Sequence, residues 1–462
     1  MATLFSKRVL VGSELRECAA AIEIDGHQIL SVVERPDAPA GAEDLGERLI
    51  APAWVNAHTH VALVAARGLG GLAMQAGNMV EELYFRIERC MSAEDVAALA
   101  KVGAVDCLLS GTGAIFEHYY QGLAMAGALA ETGISAALGP ALQDLDGPGV
   151  HLLEQHFTEL EALAKPEWAQ RGIVPVIAPH ATDTVSAALW RRCRDLAQKT
   201  GWPVHFHIAQ SAEELERSWA RHGCGPVEML AQNGLLDADI RLLMVHALYL
   251  SEAELDLLDG DRHTLGYCPA AQSQFDFPNP VQLWRSRGLP VVLGTDAGSC
   301  NDTMDPQAEL RMMASGPGFG VSHGDALAAF VRTPNAASLK ALRAARGAAL
   351  EQRLSNRDLL ASVTSTAGDL HPSMPIGVIE AGRWANLQIV DLSAPSLWPG
   401  SDAHQALCYG QTQPALWGLM VRGRWIGLEG DLRGGLLGSP WWKESQEEAK
   451  ERLEAVLQRA GI

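Results

Sequence analysis

The residues best equipped for chemistry in this chain are histidines. Two of them, His58 and His60, close the segment Asn56-Ala57-His58-Thr59-His60 after the apolar run Leu49-Ile50-Ala51-Pro52-Ala53-Trp54-Val55. Side chains two apart on a strand share a face, so these imidazoles can converge on one point. Two imidazoles so held are half of a metal site. A single His-x-His means little among 15 histidines, and its meaning depends on what else falls beside it.

Further candidates fall at the carboxyl ends of other apolar runs. His180 follows Ile173-Val174-Pro175-Val176-Ile177-Ala178, His207 lies in Val204-His205-Phe206-His207-Ile208-Ala209, His246 ends Leu242-Leu243-Met244-Val245-His246, and Asp296 ends Pro290-Val291-Val292-Leu293-Gly294-Thr295-Asp296. Neutral imidazoles with one carboxylate suit Zn2+ best, and Fe2+, Co2+ or Mn2+ accept the same atoms. His205 shares a face with His207 one layer deeper, which reads as a hydrogen-bonded neighbour of a ligand. Cys268 and Cys300 fall near the same ends, but no base motif accompanies them, so nucleophilic catalysis by thiol is not expected. His151, His156, His222, His263, His371 and His404 read as ordinary surface or turn residues.

The elements that must position these groups form a rhythm. With Gly113-Ala114-Ile115-Phe116-Glu117, Ile134-Ser135-Ala136-Ala137-Leu138 and Thr264-Leu265-Gly266-Tyr267-Cys268, the runs number eight. Helical spacing fills most gaps: Ala93 to Leu109, Gln121 to Thr132, Ser186 to Lys199, Ala212 to Arg221 and Ser251 to Leu258. Continuous apolar strands alternating with helices are the α/β pattern of a (β/α)8 TIM barrel, whose chemistry sits at the carboxyl ends of the strands. Periodicity alone leaves open a doubly wound sheet, although no Gly-rich phosphate loop follows the first strand.

Short β-like runs at both ends, among them Ala20-Ala21-Ile22-Glu23-Ile24, Ala385-Asn386-Leu387-Gln388-Ile389-Val390 and the stretch Leu419 to Ile426, point to a small β-sandwich domain built from both termini. The expected division is therefore 1–48 with 380–435 as the satellite, 49–379 as the barrel, and 436–462 as a helical tail. Trp441 to Gln458 reads as a charged helix, solvated or packed on another subunit. Trp441 and Trp442 are expected to present apolar area there.

Composition sets the outer limits. The chain has 462 residues, of which 48% are hydrophobic and 20% charged, a soluble globular profile. Its formal charge of −19 repels nucleic acid and anionic membrane surfaces, so neither is an expected partner. Eight cysteines without a C-x-x-C pair read as reduced thiols, and no leader-like or membrane-spanning run is evident, so the expected location is cytoplasmic.

Taken together, His58-x-His60, His207, His246 and Gly294-Thr295-Asp296 resemble the amidohydrolase superfamily. Pro52 to His60, Ala178-Pro179-His180-Ala181 and Val245-His246-Ala247 resemble its branch of S-adenosylhomocysteine, guanine and 8-oxoguanine deaminases and triazine chlorohydrolases. The resemblance implies one divalent metal, Zn2+ foremost with Fe2+ as the alternative, held by His58, His60, His207 and Asp296. A second ion is not implied, because the fourth strand lacks the lysine that bridges two. His246 would stand beside the metal's water, Asp296 would take its proton, and His180, Glu88 and His118 would contact the substrate. A homo-oligomer is usual among relatives. The implied activity is hydrolytic attack on a ring or amidine carbon of a purine, pterin or triazine type heterocycle, releasing ammonia, chloride or an amine.

Two departures qualify this. Gln210 stands where the deaminases carry a glutamate, and an amide cannot titrate near neutrality. General acid–base help is worth roughly 10²–10⁴ in rate, so imidazolone-type or lactam ring opening, or a metal-binding barrel with little catalysis, stand as alternatives. The seventh strand reads Tyr267-Cys268-Pro269-Ala270-Ala271-Gln272 in place of His-Cys-Pro and Ser-Asn. Specificity is expected to reside in 63–90, 117–122, 142–150 and 297–306.

Overall fold

The computed structural model describes every residue except 74–77, 238, 275–278, 316–320 and 352, so part of the expected specificity segment 63–90 lies outside the described residues. Its parallel strands are short, apolar and buried on both faces. Thr112–Tyr119 and Ser135–Leu142 have no exposed position. One parallel sheet runs Ala178–Pro179, Ser135–Leu142, Thr112–Tyr119, Trp54–His60, Asp296–Ala297, with Ile173–Pro175 also on Ser135–Leu142. A second runs Val204–Ile208, Leu242–His246, His263–Tyr267, Val291–Leu293. Parallel bridges Ile177 to Val204 and Ala181 to His207 join the two. The expected eighth strand reaches both: Val291–Leu293 pairs with His263–Tyr267, and Asp296–Ala297 pairs with Trp54–His60. This is a mixed α/β arrangement of the TIM-barrel type.

Side-chain chemistry starts and stops the intervening helices. Ser92, Ser186, Ser211 and Ser251 cap the helices Ala93–Leu109, Ala187–Thr200, Ala212–His222 and Glu252–Leu255 by accepting a backbone N–H three residues on. Gly133, Gly201 and Gly223 end three helices in the left-handed conformation.

Strands from both termini form a single eight-stranded sheet in the order Arg424–Trp425, Leu416–Val421, Leu387–Val390, Leu49–Pro52, Ala2–Val11, Arg16–Asp25, Gln28–Glu34, with Glu43–Asp44 paired to Ala2–Val11. Among the described residues its pairings define one mixed sheet, so the expected sandwich is not confirmed. Leu4, Val9, Ile22, Ile50, Leu387 and Ile389 are buried on it. The run Leu49 to His60, read above as leading into one strand, is therefore two strands in two sheets, parted at Ala53, whose N–H bonds Asn386 O at 3.0 Å.

Two other expectations are corrected. Helix Pro440–Ala460, read as solvated or packed on another subunit, packs on Ala93–Leu109 of its own chain, with Arg452 and Arg459 both paired to the buried Asp95. Trp442 is buried and Trp441 is partly so, because both join the apolar seam of that contact. His156, His263 and His371 are buried, not on the surface, and each ring bonds backbone groups. His371 Nε2, for one, donates to Pro175 O at 2.9 Å. Among the described residues no helix is long and apolar enough to cross a membrane, and all eight cysteines are free.

Candidate active site

Four of the sequence candidates meet at a point. His207 Nε2 lies 3.3 Å from both His58 Nε2 and His60 Nε2, and Asp296 Oδ1 lies 3.4 Å from His60 Nε2 and 3.7 Å from His58 Nε2. Atoms bonded at ~2.0–2.1 Å to one tetrahedral ion stand roughly 3.4 Å apart. His58, His60 and Asp296 form one group, and His58, His207 and His246 another, whose ligand atoms all lie within 4.8 Å of one another. His246 stands close by, its Nε2 4.0 Å from Asp296 Oδ2. Cys268 offers a further atom in this cluster, and burial pushes its thiol well above the ordinary range.

The backbone brings these groups together at a visible conformational cost. Ala209, His246, Ala247 and Asp296 all adopt positive φ, between 48° and 75°. Each such non-glycine residue costs on the order of 1–3 kcal/mol, and clusters of them mark functional sites. Asn56 and Thr295 clasp the first and eighth strands: Asn56 Nδ2 donates to Thr295 Oγ1 at 2.8 Å, and Thr295 N–H donates to Asn56 Oδ1 at 3.0 Å. Gly294 permits the contact, since a Cβ there would come within 2.6 Å of His58 Cβ.

Second partners orient the rings. His60 Nδ1 donates to His118 O at 2.6 Å and His207 Nδ1 to His180 O at 2.8 Å, which leaves both Nε2 lone pairs facing the cluster. His205 Nε2 is 2.8 Å from His58 Nδ1, the neighbouring role read for it above. Burial lowers the pKa of His60 and His207 to about 4, and that of His58 well below the usual range, with the adjacent imidazoles adding to it. The rings are neutral at pH 7, the form that binds metal.

The cluster forms the floor of a cavity of about 570 Å³. His118, His180, Glu88 and Gln210 all line it. Both ring nitrogens of His118 are buried without a hydrogen-bond partner. His180 Nδ1 bonds Thr184 Oγ1 at 3.0 Å. Burial raises Glu88 to about 8, against a hydrogen bond from Tyr119 that lowers it. Beneath Gln210, the buried Glu214 accepts from the N–H groups of Ala209 and Gln210 at 3.0 and 2.8 Å. Its oxygens hold the loop and do not substitute for the missing glutamate.

Sequence reasoning assigned no role to Gln272, Tyr84, Tyr119 or Asn56. Gln272 Nε2 is 2.8 Å from His246 Nδ1, and Tyr84 and Tyr119 line the cavity. Only the position of Gln272 four residues beyond Cys268 hinted at it, as a departure in the seventh strand.

Parallel strands with imidazoles and a carboxylate gathered at their carboxyl ends define a metal-dependent hydrolase. The chain belongs to the amidohydrolase family, which it matches over residues 49–426. It is 27% identical over 394 residues to a 5-methylthioadenosine/S-adenosylhomocysteine deaminase of Moorella thermoacetica, covering 84% of each chain. With a 5'-deoxyadenosine deaminase of Methanopyrus kandleri it shares 26% identity over 422 residues, 89% of this chain and 90% of the relative. Among solved structures, a zinc-bound adenosine deaminase from Xanthomonas campestris superposes with a TM-score of 0.78 at 22% identity, over 99% of this chain and 98% of that one. Atrazine chlorohydrolase TrzN from Arthrobacter aurescens, solved with zinc, gives 0.79 at 17% identity, over 98% and 100%. At such identities the structures speak to the fold alone.

Proposed function

We propose that this chain hydrolyses a nitrogen heterocycle at an electron-poor ring carbon, as a mononuclear enzyme, with deamination of a purine-type ring the foremost reaction. The observation that carries this is that His58 and His60 Nε2 each lie 3.3 Å from His207 Nε2 and 3.4–3.7 Å from Asp296 Oδ1 at the cavity floor. The names of the two relatives reported above, both deaminases of adenosine-type nucleosides, support the ring class. We also read the two parallel sheets as one closed ring, and the terminal sheet as a satellite to it.

His58, His60, His207 and Asp296 would hold the ion. When bound, a divalent cation lowers the pKa of water from ~15.7 towards ~7 and so supplies a nucleophile at neutral pH. Asp296 keeps a second oxygen, Oδ2, to accept the proton of the attacking water. His246, 4.0 Å from that oxygen, faces the reacting atoms. Glu88, neutral at pH 7, His118 and His180 offer hydrogen bonds to the ring's polar edge, and the surrounding aromatic walls exclude water. Gln210 can bond a ring nitrogen but cannot hand it a proton, so deamination would draw that proton from another group of the cavity, whereas chloride departs as an anion and needs none.

Metal analysis should find near one equivalent of zinc or iron per chain. A panel of aminopurines, pterins and chloro- and amino-triazines, scored for ammonia, chloride and amine, should show turnover that a chelator abolishes. Undiminished turnover by the metal-free protein would sink the proposal. Silence across the panel with metal retained would favour a binding role. A gain of deamination in Gln210→Glu would identify that position as the missing proton shuttle.

A further inference from the structure

We infer that Gln272 is a positioning residue that fixes His246 as a hydrogen-bond donor toward the reacting atoms and bars it from the metal. This rests on the metal-dependent reading above. The argument turns on which ring nitrogen of each histidine carries the proton, and the partner of the other nitrogen decides that. His60 and His207 face carbonyl oxygens with Nδ1. A carbonyl only accepts, so Nδ1 carries the proton and Nε2 presents a lone pair. His246 differs: its Nδ1 faces the side-chain amide of Gln272, Nε2 at 2.8 Å.

An amide can donate or accept, so its orientation must be fixed by something else. The backbone N–H of Cys268 fixes it, donating to Gln272 Oε1 at 3.0 Å, while Gln272 N–H donates back to Cys268 O at 3.1 Å. With Oε1 committed to Cys268, the NH2 group points at His246 and donates to Nδ1. That nitrogen must then hold a lone pair, and in the neutral ring the proton sits on Nε2. The Nε2–H faces the side of Asp296, its nitrogen 4.0 Å from Oδ2. A protonated nitrogen cannot coordinate a cation. Of the imidazoles close enough to share an ion, including the set His58, His207 and His246, His246 is therefore excluded from the ligands. It is left to donate a hydrogen bond to the incoming water oxygen or to the departing group.

The test reads the tautomer directly. Protein labelled with 15N in its histidine rings, with and without zinc, gives two-bond 1H–15N correlations, and the His246 signals are identified by their loss in His246→Asn. Nε2 of His246 should be the protonated nitrogen and Nδ1 the bare one. Gln272→Glu places an acceptor there and should move the proton to Nδ1. In the Co2+-loaded variant, Nε2 then joins the ion and visible absorption falls as coordination rises from four to five. Turnover should drop by about 10²–10⁴ through kcat, with KM little changed. A bare Nε2 on His246 in the unaltered protein would overturn the inference, as would an unchanged tautomer in Gln272→Glu. Because the metal-free protein reports the tautomer too, a failure to bind zinc would count against the proposed function and leave this result to be judged separately.

Discussion

Burial, more than any single neighbour, decides what each ionisable side chain of the cavity can do. It holds the imidazoles neutral and ready to bind metal, and it holds Glu88 protonated until pH passes about 8. Below that value Glu88 is a hydrogen-bond donor on the cavity wall, and above it an anion. Turnover of a substrate with an acceptor at that edge should fall as pH rises through about 8. Glu88→Gln, which keeps a donor without a titration, should extend activity to higher pH; an alkaline limb unchanged by that substitution would remove Glu88 from the site. Glu117 carries the same logic into stability, since burial raises its carboxyl from 4.5 to about 8. A raised carboxyl contributes stability that is fully present below its unfolded value and is lost as pH climbs through the folded one. The window is therefore pH 4.5 to 8, and a Tm series across it should be flatter for Glu117→Gln than for the unaltered chain.

At the scale of elements, the site depends on strand ends being held to each other. The Asn56–Thr295 clasp and the close approach of Gly294 to His58 set the distance between the first and eighth strands, which carry three of the four proposed ligands. Gly294→Ala would force a Cβ to within 2.6–2.9 Å of His58 Cβ and backbone, so the strands must part. Zinc affinity should fall by at least tenfold, and stability by about 1–3 kcal/mol as for other overpacked positions; titration with a competing chelator and a urea melt would measure both. Affinity equal to the unaltered chain would show that the strand spacing does not set the site. Glu214→Ala should likewise cost about 1–3 kcal/mol for each amide left unpaired, here those of Ala209 and Gln210. What was legible in the sequence follows the same division. His58, His60, His207 and Asp296 could be found because a strand end is a local pattern, visible as an apolar run with a polar stop. The clasp, the split of 49–60 between two sheets, and the docking of the last helix on Asp95 join residues far apart in sequence. Periodicity records which face of an element is apolar and not which partner covers it. Gln272 stayed unassigned for a related reason: its role lies in the direction of one amide, set by a backbone N–H four residues away.

For the molecule as a whole, charge narrows what can enter. The chain carries a formal −19, and the cavity wall continues that sign with Glu81, Asp183 and Glu213. The one guanidinium on the wall among the described residues, that of Arg217, is already spanned by Asp183 at 2.6 Å and Glu81 at 2.8 Å. A carboxylate on the substrate lying against this wall would meet acids and no unpaired guanidinium among the described residues, and such like-charge placement costs several kcal/mol. Of two substrates sharing a ring and differing only in a terminal carboxylate or its amide, the neutral one should show at least about tenfold higher kcat/KM, since each ~1.4 kcal/mol is a factor of ten. Glu81→Gln releases one arm of Arg217 and removes one charge, and should narrow that ratio by raising kcat/KM for the anionic member while leaving the neutral one near its original value. A preference for the carboxylate in the unaltered chain, or a ratio that Glu81→Gln does not move, would mean that the acids on this wall do not screen the substrate.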